Sequence, residues 1–404
     1  MSTAETSPVG REPELEINVD LTSVGVESGG IGTVACELIP ELAAHNVFAR
    51  CLVGQGASER WSEKLGHNLE VSEIRVVLRA DSRWQNALRK VLPPALKTHP
   101  IVGAVRNRRS RAVAAAAPAT PVWYPFHRSP AAADLSVVTV HDLRVFEPAL
   151  ASTMDQAIIR KNVANAKAVV CSWPHPYEHL LELFPEAADK AFLVGLPVLN
   201  TGTPVLREVD PDGAVRLLCP GFVTPHKNQE LLIRALVDLP MAVATFTGSE
   251  TASYASFLKE LAITLGVDDR VSWRGYVGRE ELNAEFDRAH ILVMPTRWEA
   301  ASGPLFEAIA RHLPFVASEI PPIRVQVDNL GIDALLFDPD SPSALVDAIR
   351  ACIATYADQR TALVTPAAAV RSRTWSDTAG EYARIFRWVA GDAEYPSDLG
   401  GPRS

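Results

Sequence analysis

The sequence has no apolar run that approaches the ~18–20 residues needed for a membrane-spanning helix. Its polar N-terminus also lacks the basic and apolar regions of a signal peptide. The five cysteines are odd in number, widely scattered and without metal-ligand spacing, which indicates small core residues in a reducing compartment. These features predict a cytoplasmic protein. The net charge of −9 argues against general binding of nucleic acid.

Asp and Glu are absent from Ser82 to Ala133, although the whole chain has more acidic than basic residues. Basic side chains in this stretch are interleaved with apolar ones, a composition that suits peripheral contact with the anionic inner face of a membrane. The same composition is equally typical of a solvent-exposed protein surface, or of a loop that becomes ordered over an anionic acceptor. Pro93, Pro94 and Gly103 interrupt the pattern, which favours the solvent-exposed surface. Its part from Arg83 to Arg111, which we call the 83–111 stretch, has the basic residues Arg83, Arg89, Lys90, Lys97, Arg106, Arg108, Arg109 and Arg111, and Arg128 lies beyond it.

One segment, 291–318, has a well-defined local pattern. Ile291 to Met294 is a short apolar run typical of a buried strand, and Pro295 ends it. A loop then leads to Pro304, which suits the first position of a helix because its missing N–H is not needed there. Pro314 precedes a second apolar strand. The segment therefore predicts a strand, a loop, a helix and a strand, with Glu299 in the loop and Glu307 in the helix.

The start of that helix has a chemical use. Free N–H groups of Ser302, Gly303 and Leu305, together with a partial charge of roughly +0.5 at the helix end, would suit a diphosphate. Glu299 and Glu307 would then accept hydrogen bonds from sugar and ribose hydroxyls. An ordinary buried helix with a favourable acid in its first turn fits the same pattern equally well.

Three further elements place polar or glycine residues where strands end. A turn is predicted at Gly29-Gly30-Ile31-Gly32, between a first strand and a helix that begins at Thr33. Its glycines would either let a ligand approach the backbone closely or only permit a tight turn. His141 follows an apolar strand, where it would either contact a ligand or only cap the end of the strand. Lys227 precedes a helix, where its ammonium group would either face a phosphate or only be solvated.

The 291–318 segment resembles the E-x7-E signature of the bacterial family 4 retaining glycosyltransferases. Its loop departs from the usual form, because Ala300-Ala301-Ser302-Gly303 stands where Gly-Phe-Gly-Leu is common, and His312 stands where a glycine is common. The matching positions are Pro295, Glu299, Pro304, Glu307, Ala308, Ala310, Pro314, Val316, Ala317 and Ser318.

Two other elements resemble the same family. Thr139 to Leu143 is similar to an element whose histidine reaches the donor sugar. Gly221, with Pro225, Lys227 and Asn228, is similar to its phosphate-binding element. In that element Phe222 occupies an Arg or Thr position and His226 an Arg position, so one phosphate-binding cation is missing.

The resemblance implies an α/β protein of GT-B fold, with two doubly wound Rossmann-like domains that face a central cleft. The implied domains are an N-terminal acceptor domain at 15–199, a linker at 200–214, a nucleotide-sugar domain at 215–375 and a helix at 376–390 that crosses back to the first domain. Residues 1–14 and 391–404 are predicted to be a disordered leader and tail.

The resemblance also implies a retaining hexosyltransferase of polysaccharide biosynthesis that needs no metal. Its donor would be GDP-mannose or a UDP-hexose, and its acceptor a glycan, a lipid-linked glycan or a small molecule. The implied catalytic residues are His141, Lys227 and Glu299, and the implied donor-binding residues are Gly32, Gly221, Gly248, Tyr276, Ser302, Gly303, Leu305 and Glu307.

Three alternatives stay open at this point. A phosphorylase of related fold would need inorganic phosphate and usually a lysine that binds pyridoxal phosphate, and no such element is recognisable. A non-catalytic protein that binds a nucleotide sugar is compatible with Phe222 and the altered glycine loop. A nicotinamide oxidoreductase has weak support, because the glycine turn is not G-x-G-x-x-G.

Overall fold

The computed structural model describes residues 14–25, 29–66, 69–74, 108, 111–116, 119–127, 130–198, 202–205 and 213–400. The predicted leader up to residue 13, residues 401–404 and most of the 83–111 stretch lie outside these ranges. Arg108 and Arg111 are described, and both are exposed. The chain divides into two compact units, the first formed by Met1–Leu196 with Trp375–Ser404 and the second by Pro197–Thr374. Within the described residues, no helix is both long and apolar enough to cross a membrane.

Each unit is built on one parallel sheet. The strands of the first unit are β1 (Leu15–Asp20), β2 (Val47–Gly54), β3 (Glu70–Ile74), β4 (Val122–Tyr124), β5 (Ser136–Val140), β6 (Ala168–Cys171) and β7 (Ala191–Leu193). Those of the second are β8 (Val215–Pro220), β9 (Ala242–Thr247), β10 (Val271–Trp273), β11 (Ile291–Met294), β12 (Phe315–Ser318) and β13 (Leu335–Phe337).

Helices connect these strands. In the first unit they are α1 (Gly29–Glu41), α2 (Ser58–Leu65), α3 (Thr153–Asn165) and α4 (Pro174–Leu183). The second unit has α5 (Gln229–Ala235), α6 (Ala252–Thr264), α7 (Arg279–Arg288), α8 (Gly303–Ala310), α9 (Pro321–Asn329), α10 (Pro342–Ala354), α11 (Tyr356–Ala362) and α12 (Val364–Ser372). The last helix, α13 (Trp375–Ala390), belongs to the first unit. Residues 111–116 are also helical.

Both sheets are covered by apolar side chains on two faces. In β11, Leu292 and Val293 belong to different buried clusters, because successive side chains of a strand point to opposite faces. β5, β6, β11 and β12 are buried along their whole length, as expected for parallel strands between two helical layers. These features confirm the predicted pair of doubly wound, Rossmann-like domains.

The strand order places the ligand-binding edges. Among the described residues it is β3-β2-β1-β4-β5-β6-β7 in the first sheet and β10-β9-β8-β11-β12-β13 in the second. The order therefore reverses between β1 and β4, and again between β8 and β11. In open α/β sheets, ligands bind beyond the carboxyl ends of the strands at such a reversal.

The glycine segment 29–32 differs from the prediction. It was expected as a turn before a helix at Thr33, but α1 begins at Gly29, so Gly32 lies inside the helix and is buried. Val34 and Ala35 pack into the core of the first unit. Burial of this helical face outweighs the low helix propensity of glycine, which local sequence reasoning had taken as decisive.

Packed residues occur in the predicted tail and in the described part of the predicted linker. In the predicted tail, Leu399 is buried and Arg384 Nη1 donates to Asp398 Oδ2 at 2.8 Å. In the predicted linker, Gly202 lies against the guanidinium of Arg311, where a Cβ would come within 2.8 Å of Nη2. Polar composition predicted disorder for the tail, but contacts within the first unit pack its residues Asp398 and Leu399. Segment 200–214 was predicted only as the linker between the two domains, and most of it lies outside the described residues.

The side chains of α13 complete the core of the first unit. Trp123 Nε1 donates to Thr139 Oγ1 at 2.8 Å, and Thr139 Oγ1 bonds the hydroxyl of Tyr382 at 2.8 Å. Arg387 Nη2 donates to the carbonyl of His45 at 2.7 Å. The C-terminal helix is thus joined to β5 and to the turn before β2 by polar contacts, and to β4 by packing of the Trp123 and Tyr382 rings.

Candidate functional site

Backbone hydrogen bonds join the loops that follow β8, β9 and β10. Gly221 N donates to Thr247 O at 2.9 Å, and Gly248 N donates to Gly275 O at 2.7 Å. Gly248 has a φ of +118°, and a Cβ there would lie 2.5 Å from the carbonyl carbon of Gly221. The two predicted glycines are therefore in backbone contact. Only a glycine at 248 permits that approach.

The reversal point of the second sheet holds an ion pair. Lys227 lies in the short helical turn after β8, and Glu299 lies in the loop after β11, the neighbouring strand. Lys227 Nζ donates to Glu299 Oε1, and the side chains are 19% and 9% exposed. A carboxylate so nearly buried needs a charged partner. The structure thus brings together two of the three predicted catalytic residues, which are far apart in the sequence.

The start of α8 corrects part of the prediction. Ser302 is the N-cap, and its Oγ accepts from Leu305 N at 3.3 Å, so the Leu305 N–H expected to face a ligand is already bonded. Helix-capping chemistry explains this, because a serine at that position satisfies one of the free N–H groups. Gly303, not Pro304, is the first helical residue. It is exposed, with open space where a Cβ would be.

Glu307 lies on the buried face of α8 and is 5% exposed. Its Oε1 accepts from Arg279 Nη1 at 3.2 Å, and its Oε2 is buried with no hydrogen-bond partner in the described part of the chain. Burial raises the pKa of this carboxyl, and the nearby guanidiniums of Arg279 and Arg311 partly offset that rise. An unsatisfied buried oxygen is costly and is a ready acceptor for a ligand hydroxyl.

Replacing Glu307 by glutamine should stabilise the free protein. A carboxyl whose folded pKa is raised favours folding only while it is protonated, so its charge opposes folding above that pKa. At pH 7 we expect the melting temperature of Glu307→Gln to be about 2–4 °C above wild type, corresponding to ~1 kcal/mol. The difference should shrink as the pH falls through the raised pKa of folded Glu307 and vanish below the ordinary carboxyl pKa of the unfolded chain, where the side chain is neutral in both states. Scanning calorimetry between pH 4 and 8 measures it.

Glu319→Gln is the matched control for that experiment. Glu319 is 59% exposed and forms a surface pair with Arg324, so the same chemical change there should shift the melting temperature little. An equal or lower melting temperature for Glu307→Gln at pH 7 would contradict the buried, unsatisfied state of Glu307.

His141 lies in the first unit, just after β5, and its ring is already engaged. Pro125 O can only accept, so His141 Nε2 donates to it at 3.0 Å, and Ser172 Oγ donates to Nδ1 at 3.0 Å. Burial lowers the pKa of His141, in keeping with a neutral ring. To meet a sugar hydroxyl through a ring nitrogen, His141 would have to exchange one of these bonds. Its predicted contact with the donor stays a prediction.

The other predicted residues differ in exposure. Tyr276, after β10, is 76% exposed, and Phe222, after β8, is 52% exposed. Gly32 lies in α1 of the first unit. Sequence reasoning assigned no role to Arg279 and named Asn228 only as a matching position of the phosphate-binding element, although both contact the segments that hold the predicted site. The left-handed backbone tolerance of asparagine just before a helix was the available signal for Asn228.

Acidic side chains near this edge are already used within the protein. Asp338 and Asp340 follow β13, but Asp338 Oδ1 accepts from Asp340 N at 2.9 Å and Asp340 Oδ1 pairs with Arg297 Nε at 3.0 Å. No group of three or more His, Cys, Asp or Glu side chains within the described ranges is arranged to hold a metal ion. Metal independence stays a prediction.

Comparison with known proteins finds a family model that matches most of the second unit. Residues 206–367 match the family model described as "Glycosyl transferases group 1". The chain is 27% identical over 133 residues to the O-antigen chain mannosyltransferase RfbU of Salmonella typhimurium, covering 33% of this chain and 37% of that protein. It is 28% identical over 164 residues to the D-inositol 3-phosphate glycosyltransferase of Mycobacteroides abscessus, covering 40% of this chain and 30% of that protein. The matches thus span about a third of these relatives' length.

Solved structures match nearly the whole chain at low identity. Sucrose-phosphate synthase from Thermosynechococcus elongatus has a TM-score of 0.71 and 18% identity, with 94% of this chain and 100% of that chain covered. Anabaena Alr3699/HepE in complex with UDP-glucose has a TM-score of 0.62 and 15% identity, with 92% and 98% covered. The likeness shows a shared fold and confirms the predicted GT-B class.

Proposed function

We propose that the protein is a retaining hexosyltransferase that uses a nucleotide-sugar donor, because residues 206–367 match the family model of the glycosyl transferases group 1. The observation that carries the proposal is the Lys227–Glu299 pair at the reversal point between β8 and β11. A cation and a hydroxyl acceptor are adjacent there, at the edge where this class of sheet binds ligands.

The donor nucleotide would be held by the second unit. Glu307 offers its unpartnered Oε2 to the ribose hydroxyls. The diphosphate would lie at the start of α8, near the Gly303 amide and the positive end of the helix. The exposed loop at Tyr276 would contact the base. Gly221 and Gly248 would keep the strand-end backbones close enough together to line the site.

The ion pair supports a simple account of the chemistry. When the donor binds, Lys227 Nζ would turn from Glu299 to the diphosphate and stabilise the negative charge that develops as the glycosidic bond breaks. Glu299 would then accept hydrogen bonds from the hydroxyls of the transferred sugar. An oxygen of the leaving phosphate would take the acceptor's proton, with retention of anomeric configuration. Lys227 and the α8 N-terminus supply the positive field, so the proposal needs no metal.

The donor and acceptor are proposed only by class. One relative is named a mannosyltransferase and a solved neighbour contains UDP-glucose, which supports GDP-mannose or a UDP-hexose as donor. The acceptor would be a glycan, a lipid-linked glycan or a small molecule, bound by the first unit with His141 near the transferred sugar. If the acceptor is a lipid-linked glycan, the 83–111 stretch would contact the inner face of the membrane that holds it.

A second candidate is a non-catalytic protein that binds a nucleotide sugar. Phe222 favours it, because this exposed apolar ring stands where a cation or a hydroxyl would help to bind phosphate. Turnover separates the two candidates. A protein that binds the donor but neither transfers nor hydrolyses its sugar would support the second.

A thermal-shift panel tests the donor site directly. UDP, GDP, ADP and their common sugar conjugates are added to wild type, Glu307→Ala and Lys227→Ala. A ligand at about 100 times its dissociation constant should stabilise wild type by about 2.7 kcal/mol. We expect one base to give that shift and both variants to lose it. Absence of a shift with every nucleotide would refute the glycosyltransferase proposal.

A further inference from the structure

Asn228 lies at the centre of the loops that carry Lys227 and Glu299. It is fully buried and follows Lys227 directly, as the residue before α5. Its φ of +57° is left-handed, a conformation that asparagine tolerates better than most residues. A buried polar side chain with an unusual backbone, beside a proposed catalytic lysine, calls for a physical reason.

The side-chain amide of Asn228 joins three strand ends. Its Nδ2 donates to Pro295 O at 2.9 Å, after β11, and to Pro339 O at 2.8 Å, after β13. Its Oδ1 accepts from Arg297 Nη1. Both amide donors and the carbonyl oxygen are therefore used. Buried polar networks that are fully satisfied in this way hold their surroundings in one arrangement.

The contacts around Asn228 connect the two sides of the ion pair. Arg297 N donates to His226 O at 2.8 Å, and Thr296 Oγ1 donates to the same carbonyl at 3.1 Å. His226 precedes Lys227, and residues 295–297 lead to Glu299. The loop that carries the cation and the loop that carries the carboxylate are thus joined by hydrogen bonds other than the ion pair itself.

We propose that Asn228 is a positioning residue that holds Lys227 towards the terminal phosphate of a nucleoside diphosphate. This inference rests on the proposed donor site and deepens it. Asn228 does not touch the ligand. It acts through Lys227 and Glu299, and its loss should remove the part of the affinity that the second phosphate contributes, while the affinity for base and ribose, carried by Glu307, is kept.

Asn228→Asp separates positioning from folding. Aspartate keeps the left-handed tolerance and the acceptor for Arg297, but it lacks the two donors, and its oxygens would face the carbonyls of Pro295 and Pro339. Asn329→Asp introduces the same chemical change at an exposed position at the end of α9, and serves as the matched control.

Two measurements on the full chain test the proposal. Hydrogen exchange reports residues 224–229 and 295–299 without any ligand, and we expect at least tenfold faster exchange there in Asn228→Asp, with β9 and β12 unchanged. Calorimetric titration compares UDP with UMP, or GDP with GMP if the guanine nucleotide is the one bound. The affinity ratio of diphosphate to monophosphate should fall about tenfold in Asn228→Asp, while the monophosphate affinity changes less than threefold. Asn329→Asp should match wild type in both.

Each contrary result has a distinct meaning. Unchanged exchange in the two loops would refute the positioning role. Faster exchange with equal losses for diphosphate and monophosphate would also refute it, because a purely structural role predicts such a uniform loss. If wild type binds none of these nucleotides, the proposed function fails and this inference fails with it, whatever the exchange shows.

Discussion

Replacing Lys227 by alanine should lower kcat for sugar transfer by about 10²–10³-fold, the usual cost of losing one preorganised group that stabilises developing charge. The effect should fall on kcat more than on KM, because the charge on the diphosphate grows as the bond to the sugar breaks. Steady-state kinetics with the donor identified by the nucleotide panel measures both constants. Lys227 is assigned this role because it contacts Glu299 at the reversal point of the second sheet.

A second variant separates this effect from lost stability. Lys227→Ala leaves Glu299, 9% exposed, without its charged partner, which should lower the melting temperature as well. Adding Glu299→Gln removes the unpaired charge, so the double variant should regain stability and stay inactive. Lys259→Ala is the matched control, because Lys259 forms an exposed pair with Glu250 and should matter little to either property. A double variant with wild-type turnover would refute the role of Lys227.

Replacing Gly248 by alanine should have the largest effect on folding of any substitution considered for this protein. Its φ of +118° is unfavourable for any side chain, and its Cβ would overlap the backbone of Gly221, which cannot rotate away. Backbone strain and overpacking each cost about 1–3 kcal/mol, so the loss of unfolding free energy should be roughly 2–6 kcal/mol. Urea denaturation followed by circular dichroism measures it.

Gly331→Ala isolates the strain from the overlap. Gly331 also has a positive φ, +63°, but nothing lies within 4 Å of the position its Cβ would take. That variant should lose only about 1–2 kcal/mol, the cost of a left-handed alanine. Equal losses in the two variants would show that the contact between the loops after β8 and β9 is not what requires Gly248.

Local patterns predicted much of the fold, for reasons that can be stated element by element. β11 and β12 were predicted with their observed bounds, because a short apolar run that borders a proline is typical of a buried strand. The start of α1 was missed, because burial of Val34 and Ala35 further along the helix outweighed the low helix propensity of the glycines. The packed segment 391–400 was missed because its anchors, such as the Arg384–Asp398 pair, connect residues on different elements.

The predicted site was incomplete because some of its contacts join residues that are far apart in the sequence. Glu307 was identified from the sequence, but its partner Arg279 comes from the start of a different helix, α7, and carries no local signature. Leu305 was assigned a free N–H because the serine cap one turn earlier was not counted. The roles of Asn228 became visible only through carbonyls at 295 and 339, which no pattern around residue 228 specifies.

The sequence by itself determined the alternation of strands and helices, because periodicity, capping and turn chemistry act within a few residues. Its resemblance to the glycosyltransferase family added the domain class and the choice of Lys227, Glu299 and Glu307 as candidates. The tertiary structure decided which of these groups meet. β8 and β11 are neighbours in the sheet although β9 and β10 intervene in the chain. That order, set by the packing of whole helices on both faces of the sheet, brings Lys227 to Glu299 and Gly221 to Gly248.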